Sequence, residues 1–299
     1  MAPPISGFEG ILGCYVIRSD KTALLDVGPT SSLPNLMQAL DKLEVKPDEI
    51  DYVIAGHIHL DHSGGMGGSL KLMHNATGIV HEKGRYHLAN PSKLWAGSLQ
   101  VLGKLAEDYG QPEPIADDRL VTASEGMIID LGGIKLEVFL TPGHAAHHLS
   151  FFDRQRKRLF AGEAVGINFP GIGSRPATPY PFDLRQAIAS LDKLIALQPE
   201  TIYYAHVGYS NNALDKMLAF KKQLLRFGRV ISKHLDDSSN WQEILEEIKR
   251  DDKELAGLYD MPPDRLAREM GFIQNNIFGF REYLRKEGPG VISELERGL

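Results

Sequence analysis

Over the first two-thirds of the chain, short apolar runs alternate with stretches of helical periodicity. Runs rich in Val, Ile, Tyr and Phe fall at residues 14–18, 23–27, 52–55, 78–81, 134–140, 149–152, 158–161 and 201–205. Their length and spacing predict the strands of a layered α/β domain. Between them, residues 33–43 read as a helix closed off by Pro47, and residues 93–109 carry Leu94, Leu99, Leu102, Leu105 and Ala106 at helical spacing. Another helix is predicted over 183–197, with Asp183 and Gln186 forming a start like a capping box. After Ser210 the texture changes. Leu, Lys, Glu and Arg dominate, and residues 213–235, 241–250 and 263–286 read as amphipathic helices with their charged faces in solvent. The pattern thus predicts a domain over residues 1–209 and a helical extension over 210–299.

Composition narrows the class. The chain has 299 residues, 42% hydrophobic and 24% charged, which excludes a disordered chain, a fibre and a disulfide scaffold. With 33 basic and 39 acidic residues it carries a net charge of −6, so nothing predicts a nucleic-acid or anionic-membrane partner. No run of apolar residues is long enough to span a bilayer, and the N-terminus lacks the basic and apolar regions of a secretory signal. The single cysteine, Cys14, sits in a strand-like run and reads as a packed thiol, which fits a reducing, cytoplasmic setting.

Candidate chemistry concentrates in residues 54–65, IAGHIHLDHSGG. His57, His59, Asp61 and His62 fall within six residues, directly after a β-type run. His57 and His59 alternate, so in an extended segment they point the same way. Imidazole nitrogen and carboxylate oxygen are preferred zinc donors, and four such groups in one turn are costly to bury without a cation. The same grammar of apolar strand, small residue and ligand recurs at His144 in LTPGH, Glu163 in LFAGE and His206 in IYYAH. Strand ends on one edge of an α/β domain are where sites are built. Seven donors suffice for two metal ions sharing a bridge.

These motifs, HIHLDH, TPGH, the strand-end carboxylate and the late strand-end histidine, resemble the metallo-β-lactamase superfamily in the same order, from about residue 8 to 206. The resemblance implies an αββα sandwich with a dinuclear site at one edge, followed here by the C-terminal helical extension. It implies that His57, His59 and His144 hold one divalent ion, that Asp61, His62 and His206 hold a second, and that Glu163 bridges them. The ions expected are zinc first, with iron or manganese as alternatives. Asp26, in LLDVG, matches a strand-end Asp that the family uses beside the site, where it orients a ligand histidine; a plain turn role before Gly28 competes with this. Glu163 departs from the family's usual Asp by one methylene, about 1.5 Å of reach.

Two metals roughly 3.5–4 Å apart can share and deprotonate a water near neutral pH, and the hydroxide attacks a carbonyl or phosphoryl centre. Asp61 is then expected to orient that nucleophile as well as to ligate. No nucleophile elbow, phosphate loop or dinucleotide fingerprint is present. The short interval from Glu163 to His206 leaves no room for the extra domain of the superfamily's RNA-processing branch. Residues 81–111 and the Gly- and Pro-rich loop 166–181 are the candidate pocket walls, with Trp95, Tyr180, Tyr209 and His148 as candidate substrate or supporting residues. Quorum-quenching lactonases of the superfamily carry a Tyr three residues after the bridging carboxylate; Gly166 stands there in this chain. The expected activity is hydrolysis of a small-molecule lactone or carboxylic ester, N-acyl homoserine lactones included. A thioesterase resembling glyoxalase II is the alternative, and a non-enzymatic metal-binding module is the alternative of another class. Trp241, Leu258, Tyr259, Phe272, Phe278 and Phe280 supply apolar area either for a homodimer or for sealing the extension onto the core.

Overall fold

A computed structural model describes residues 3–169, 173–236 and 238–297. The chain divides into two compact units, one of Met1–Leu140 with His147–Gly162 and one of Thr141–Ala146 with Glu163–Leu299.

In the first unit, β1 (Tyr15–Arg18), β2 (Thr22–Leu25), β3 (Tyr52–Ile54), β4 (Thr77–His81) and β5 (Leu120–Ala123) form one sheet in that order. The β1–β2 pair is an antiparallel hairpin, and the later pairs are parallel. Parallel strands need crossovers. These are α1 (Leu33–Lys42), then α2 (Leu60–Ser63) with α3 (Met66–Leu72), then α4 (Glu82–Ala89), α5 (Ser92–Leu102) and α6 (Lys104–Tyr109). Strands covered on both faces read as nearly continuous apolar runs, and TALL in β2 is buried throughout. Leu24, Val53, Val80 and Leu120 join Leu36, Leu40, Met66, Leu70 and Leu88 in one core.

A second antiparallel set, β6 (Ile128–Asp130), β7 (Lys135–Leu140), β8 (Leu149–Asp153) and β9 (Arg158–Gly162), belongs to the same unit. The two sets meet where the Tyr15 and Phe160 rings stand edge to face at 5.6 Å and where the Lys21 amide donates to the Leu131 carbonyl at 3.1 Å. The eight strands expected from the pattern all form, within a residue or two of their expected ends. β5 and β6 were not expected: both are short and lie beside acidic, loop-like sequence. The helix expected over 93–109 breaks at Gly103 into α5 and α6. No residue of α5 is fully buried, and only Leu94 packs against the core of this unit.

The second unit contains β10 (Ile167–Phe169) paired with β11 (Gly173–Arg175), so much of the expected 166–181 loop is a hairpin; residues 170–172 lie outside the described residues. Next come α7 (Leu184–Ala196), the hairpin β12 (Thr201–Tyr204) and β13 (Tyr209–Ser210), and then α8 (Ala213–Ile231), α9 (Trp241–Asp251), α10 (Pro263–Glu287) and α11 (Gly290–Glu296). Asp183 caps α7: the Gln186 amide and side chain both donate to its carboxylate, at 2.9 and 2.7 Å. Helices α8 and α10 share an apolar seam, with the Phe227 and Phe280 rings 6.4 Å apart and Ile273, Ile277 and Leu284 fully buried. Leu258 and Phe280 are spent inside this unit, whereas Tyr259 and Phe278 remain about half exposed. Among the described residues no helix is long and apolar enough to cross a membrane.

One charged residue of α10 departs from the expected solvated face. Glu269 is fully buried and paired with Arg175 and with Arg268. Burial pushes its carboxyl up, but the two guanidinium groups outweigh this and hold it below its ordinary value. Glu269→Gln leaves Arg175 buried without its counter-ion and should cost about 3–5 kcal/mol by chemical denaturation. A carboxyl depressed in the folded state stabilises fully above its unfolded pKa and loses that contribution as pH falls through the folded value. The stability of the natural chain should therefore drop below about pH 4.5 more steeply than that of Glu269→Gln; equal slopes would remove the pair from the acid response.

Candidate metal centre

In the first unit, the end of β3 delivers the ligand run. Asp26 and Ala55 donate their amides across the strand ends to the carbonyls of Ile54 and Ile79, each at 2.9 Å, and the Leu149 amide donates to the Gly56 carbonyl at 2.7 Å. The backbone is thus held on both sides just before His57. The strand ends at Ile54, the backbone is extended again at His59, which precedes α2, and Asp61 lies in the first turn of that helix, where the helix end favours a carboxylate. His57 Nε2 lies 3.0 Å from His59 Nδ1, and His62 Nε2 lies 3.3 Å from the Asp61 carboxylate. His57 and His62 are almost wholly buried, with ring centroids 4.3 Å apart, and His59 is half-buried.

Asp26 stands behind this run. One carboxylate oxygen accepts from the Gly56 amide at 2.7 Å and the other lies 3.3 Å from His62 Nδ1. An Nδ1–H facing a carboxylate leaves the Nε2 lone pair for a metal. Asp26 itself has φ 54°, a left-handed conformation that Asp tolerates better than most residues. The Val27 and Gly28 amides both donate to the His62 carbonyl, at 3.0 and 3.1 Å, so the strained turn also stitches α2 in place. His148 is fully buried, with its ring 5.3 Å from that of His57, and His147 stacks on His57 at 6.2 Å.

The second unit carries the other donors. Glu163 follows the end of β9, His144 sits in the turn Thr141–Ala146, and His206 follows β12. Glu163 lies with one oxygen 2.9 Å from His144 Nε2 and the other 3.3 Å from His206 Nε2. All three are buried. Burial pushes the Glu163 carboxyl up, but the charge and hydrogen bonds that His144 and His206 offer when protonated outweigh it and hold the group well below the usual carboxylate range. His144 Nδ1 lies 2.9 Å from the Ala177 carbonyl, which can only accept; Nδ1 therefore carries a proton and Nε2 faces Glu163. The turn is anchored by α7: the Asp183 amide donates to the Gly143 carbonyl at 3.0 Å and the Ser190 hydroxyl to the Pro142 carbonyl at 2.7 Å. His206 is set by a tight turn in which the Tyr204 amide donates to the Gly208 carbonyl at 3.0 Å.

The remaining candidates stand differently. Trp95 is half-buried on α5 in the first unit. In the second, Tyr180 and Tyr209 are 61% and 60% exposed; the Tyr180 ring is tilted against Phe278 at 6.3 Å and the Tyr209 ring stacks on Tyr203 at 5.7 Å. Burial and the nearby Asp26 charge push the Cys14 thiol up to about 12, so it is neither thiolate ligand nor nucleophile. The contact that sequence reasoning missed is the Ala177 carbonyl on His144. A backbone oxygen has no residue-type signature.

Each unit thus offers imidazole nitrogens with a carboxylate, His57, His59, His62 and Asp61 in the first and His144, His206 and Glu163 in the second, donor types suited to zinc and equally open to iron or manganese. The sequence profile described as the Metallo-beta-lactamase superfamily matches residues 13–206. The chain belongs to this superfamily of metallohydrolases, which bind divalent metals, and it has the family's α/β fold with a C-terminal helical region. It is 32% identical over 206 residues to the metallo-beta-lactamase fold-containing protein ST1585 of Sulfurisphaera tokodaii, covering 67% of this chain and 74% of that protein. The crystal structure of ST1585 superposes with a TM-score of 0.71 at 26% identity, covering 93% of this chain and 95% of that one. The hydroxyacylglutathione hydrolase GloC of Haemophilus influenzae is 25% identical over 224 residues, 71% of this chain and 92% of its own. The acyl-coenzyme A thioesterase MBLAC2 of Gallus gallus is 30% identical over 163 residues, 50% of this chain and 56% of its own.

Asp26→Asn keeps an acceptor for the Gly56 amide but sets an amide group against His62 Nδ1–H. Metal affinity, read by competition with a chromophoric chelator, should fall about 10- to 100-fold with the melting transition little changed. Unchanged affinity would leave Asp26 a turn residue only.

Proposed function

We propose that this protein is a dinuclear metal-dependent hydrolase that cleaves small acyl compounds, a carboxylic thioester first and a lactone or simple ester second. The observation that carries the reading is the buried Glu163 carboxyl group with one oxygen toward each of two histidine Nε2 atoms, the arrangement a bridging carboxylate needs. His57, His59 and His144 would hold one ion, Asp61, His62 and His206 the other, and Glu163 would be shared. Bound divalent ions supply Lewis acidity for the acyl carbonyl and lower the pKa of water. Zinc is the first choice, and the N/O donor set also admits iron or manganese. Asp61, with its side chain 22% exposed, would accept a hydrogen bond from the attacking water and orient it. Asp26 and the Ala177 carbonyl hold His62 and His144 in the tautomer that presents Nε2.

Two features favour a thioester over a lactone of the quorum-quenching type. Gly166, three residues after Glu163, has φ 73°, and a Cβ there would lie 2.6 Å from the Arg175 carbonyl oxygen and 2.5 Å from the Phe220 ring. No tyrosine can occupy that place, and the exposed Tyr180 and Tyr209 are poor substitutes. GloC and MBLAC2 are named for acyl-glutathione and acyl-coenzyme A, in each case an acyl group on a sulfur carrier.

The test pairs elemental analysis with hydrolysis of an S-acyl glutathione, an acyl-coenzyme A, an acyl homoserine lactone, a phosphodiester and a β-lactam. Near two metals per chain and turnover of a thioester are expected. His59→Ala should lose metal and cut kcat/KM by more than the roughly 100-fold that loss of a supporting residue costs. Glu163→Asp should lower metal content and rate together, because the site is built around the longer side chain. Turnover like that of the natural chain in His59→Ala would refute the site.

A further inference from the structure

We propose that Asn276, on α10 of the helical region, is a positioning residue for the ligand His144, acting through the backbone of residues 176–178. This rests on His144 being a metal ligand. The Asn276 side chain is buried and grips that backbone twice: its Oδ1 accepts from the Thr178 amide at 2.8 Å, and its Nδ2 donates to the Pro176 carbonyl at 2.8 Å. The Thr178 hydroxyl closes the bracket by donating to the Asn276 carbonyl at 3.1 Å. Between the two gripped residues lies Ala177, whose carbonyl stands 2.9 Å from His144 Nδ1. A carbonyl pinned on both sides keeps its direction, and that direction sets the His144 tautomer and ring angle.

The bracket belongs to a longer contact. Glu269, Asn276 and Tyr283 lie seven residues apart, about 10.5 Å or two turns each, on one stripe of α10. Glu269 pairs with Arg175, Asn276 holds residues 176–178, and the Tyr283 hydroxyl accepts from the Arg185 amide at 3.3 Å. Close approach is required between them, since a Cβ on Gly279 would run into the Thr178 carbonyl oxygen. Helix α10 is thus the template on which the segment facing His144 is laid.

The test uses the full chain and Zn(II), with affinity read by chelator competition. A second readout is the exchange rate of the His144 Nδ1 proton by NMR in metal-free protein. Asn276→Ala and Asn276→Asp should each weaken Zn(II) binding about 10- to 100-fold and speed exchange of that proton. Ile273→Ala, a fully buried change on the same helix, should lower stability while leaving both readouts as in the natural chain. Native affinity and exchange in both Asn276 variants, with affinity lost in His144→Ala, would overturn the positioning role and leave the metal centre standing. Effects in Ile273→Ala equal to those in Asn276→Ala would also overturn it, by reducing it to general packing. If the natural chain takes up no Zn(II), the metal reading fails, and proton exchange alone still decides whether Asn276 holds His144.

Discussion

Glu163 carries its negative charge in a buried setting, with one oxygen toward His144 and the other toward His206. Moving an isolated carboxylate out of water costs several kcal/mol even after relaxation, so the charge has to be met by groups already in place. The first of these rings and the backbone of the second are themselves held from behind. His144 has the Ala177 carbonyl on its far nitrogen, and His206 follows a strand whose tight turn fixes the backbone. A carboxylate that faces two histidines in this way offers a setting for a cation, and the surroundings of the second unit serve that geometry.

The first unit meets the same problem with a different support. Its run of candidate ligands leaves a parallel strand that is clamped by neighbouring strand ends, and the buried Asp26 carboxylate faces His62 from behind. Where the second unit uses a backbone carbonyl, the first uses a side-chain carboxylate. Both fix which ring nitrogen carries the proton, and both draw on rigid sheet edges rather than free loops. In the first unit the backbone strain at Asp26 is offset by the hydrogen bonds its turn makes to β3 and α2.

The helical region has two physical roles in the second unit. Its apolar seam between α8 and α10 stabilises that unit, and each fully buried Ile, Leu or Phe contributes on the order of 1.5–3 kcal/mol before entropy is counted. Its polar stripe of Glu269, Asn276 and Tyr283 does something burial alone does not, because hydrogen bonds and ion pairs carry direction. That stripe satisfies much of the polar demand of the buried Arg175 and of residues 176–178.

The sequence alone determined whatever depends on residue type and short spacing. The run from His57 to His62 is legible because alternation in an extended segment puts two imidazoles on one side, and the pattern of strand, small residue and ligand marks His144, Glu163 and His206. Parallel β2 to β4 were legible because buried strands read as apolar runs, antiparallel β7 to β9 because LEVFL, LSFF and RLFA are apolar runs too, and the cap of α7 because Asp183 and Gln186 sit at capping distance. Tertiary structure decided the rest. The strands β5 (LVTA), β6 (IID), β10 (INF) and β11 (GSR) are each broken by a polar residue, so no apolar run marks them. Glu269 looks like any other helix charge until Arg175 is placed against it from 94 positions away. Asn276 and the Ala177 carbonyl have no signature at all, because one acts across 98 positions and the other through a backbone atom that every residue possesses. Local chemistry is written in side chains, whereas the support behind a ligand depends on which backbone groups the packed chain brings within hydrogen-bond reach.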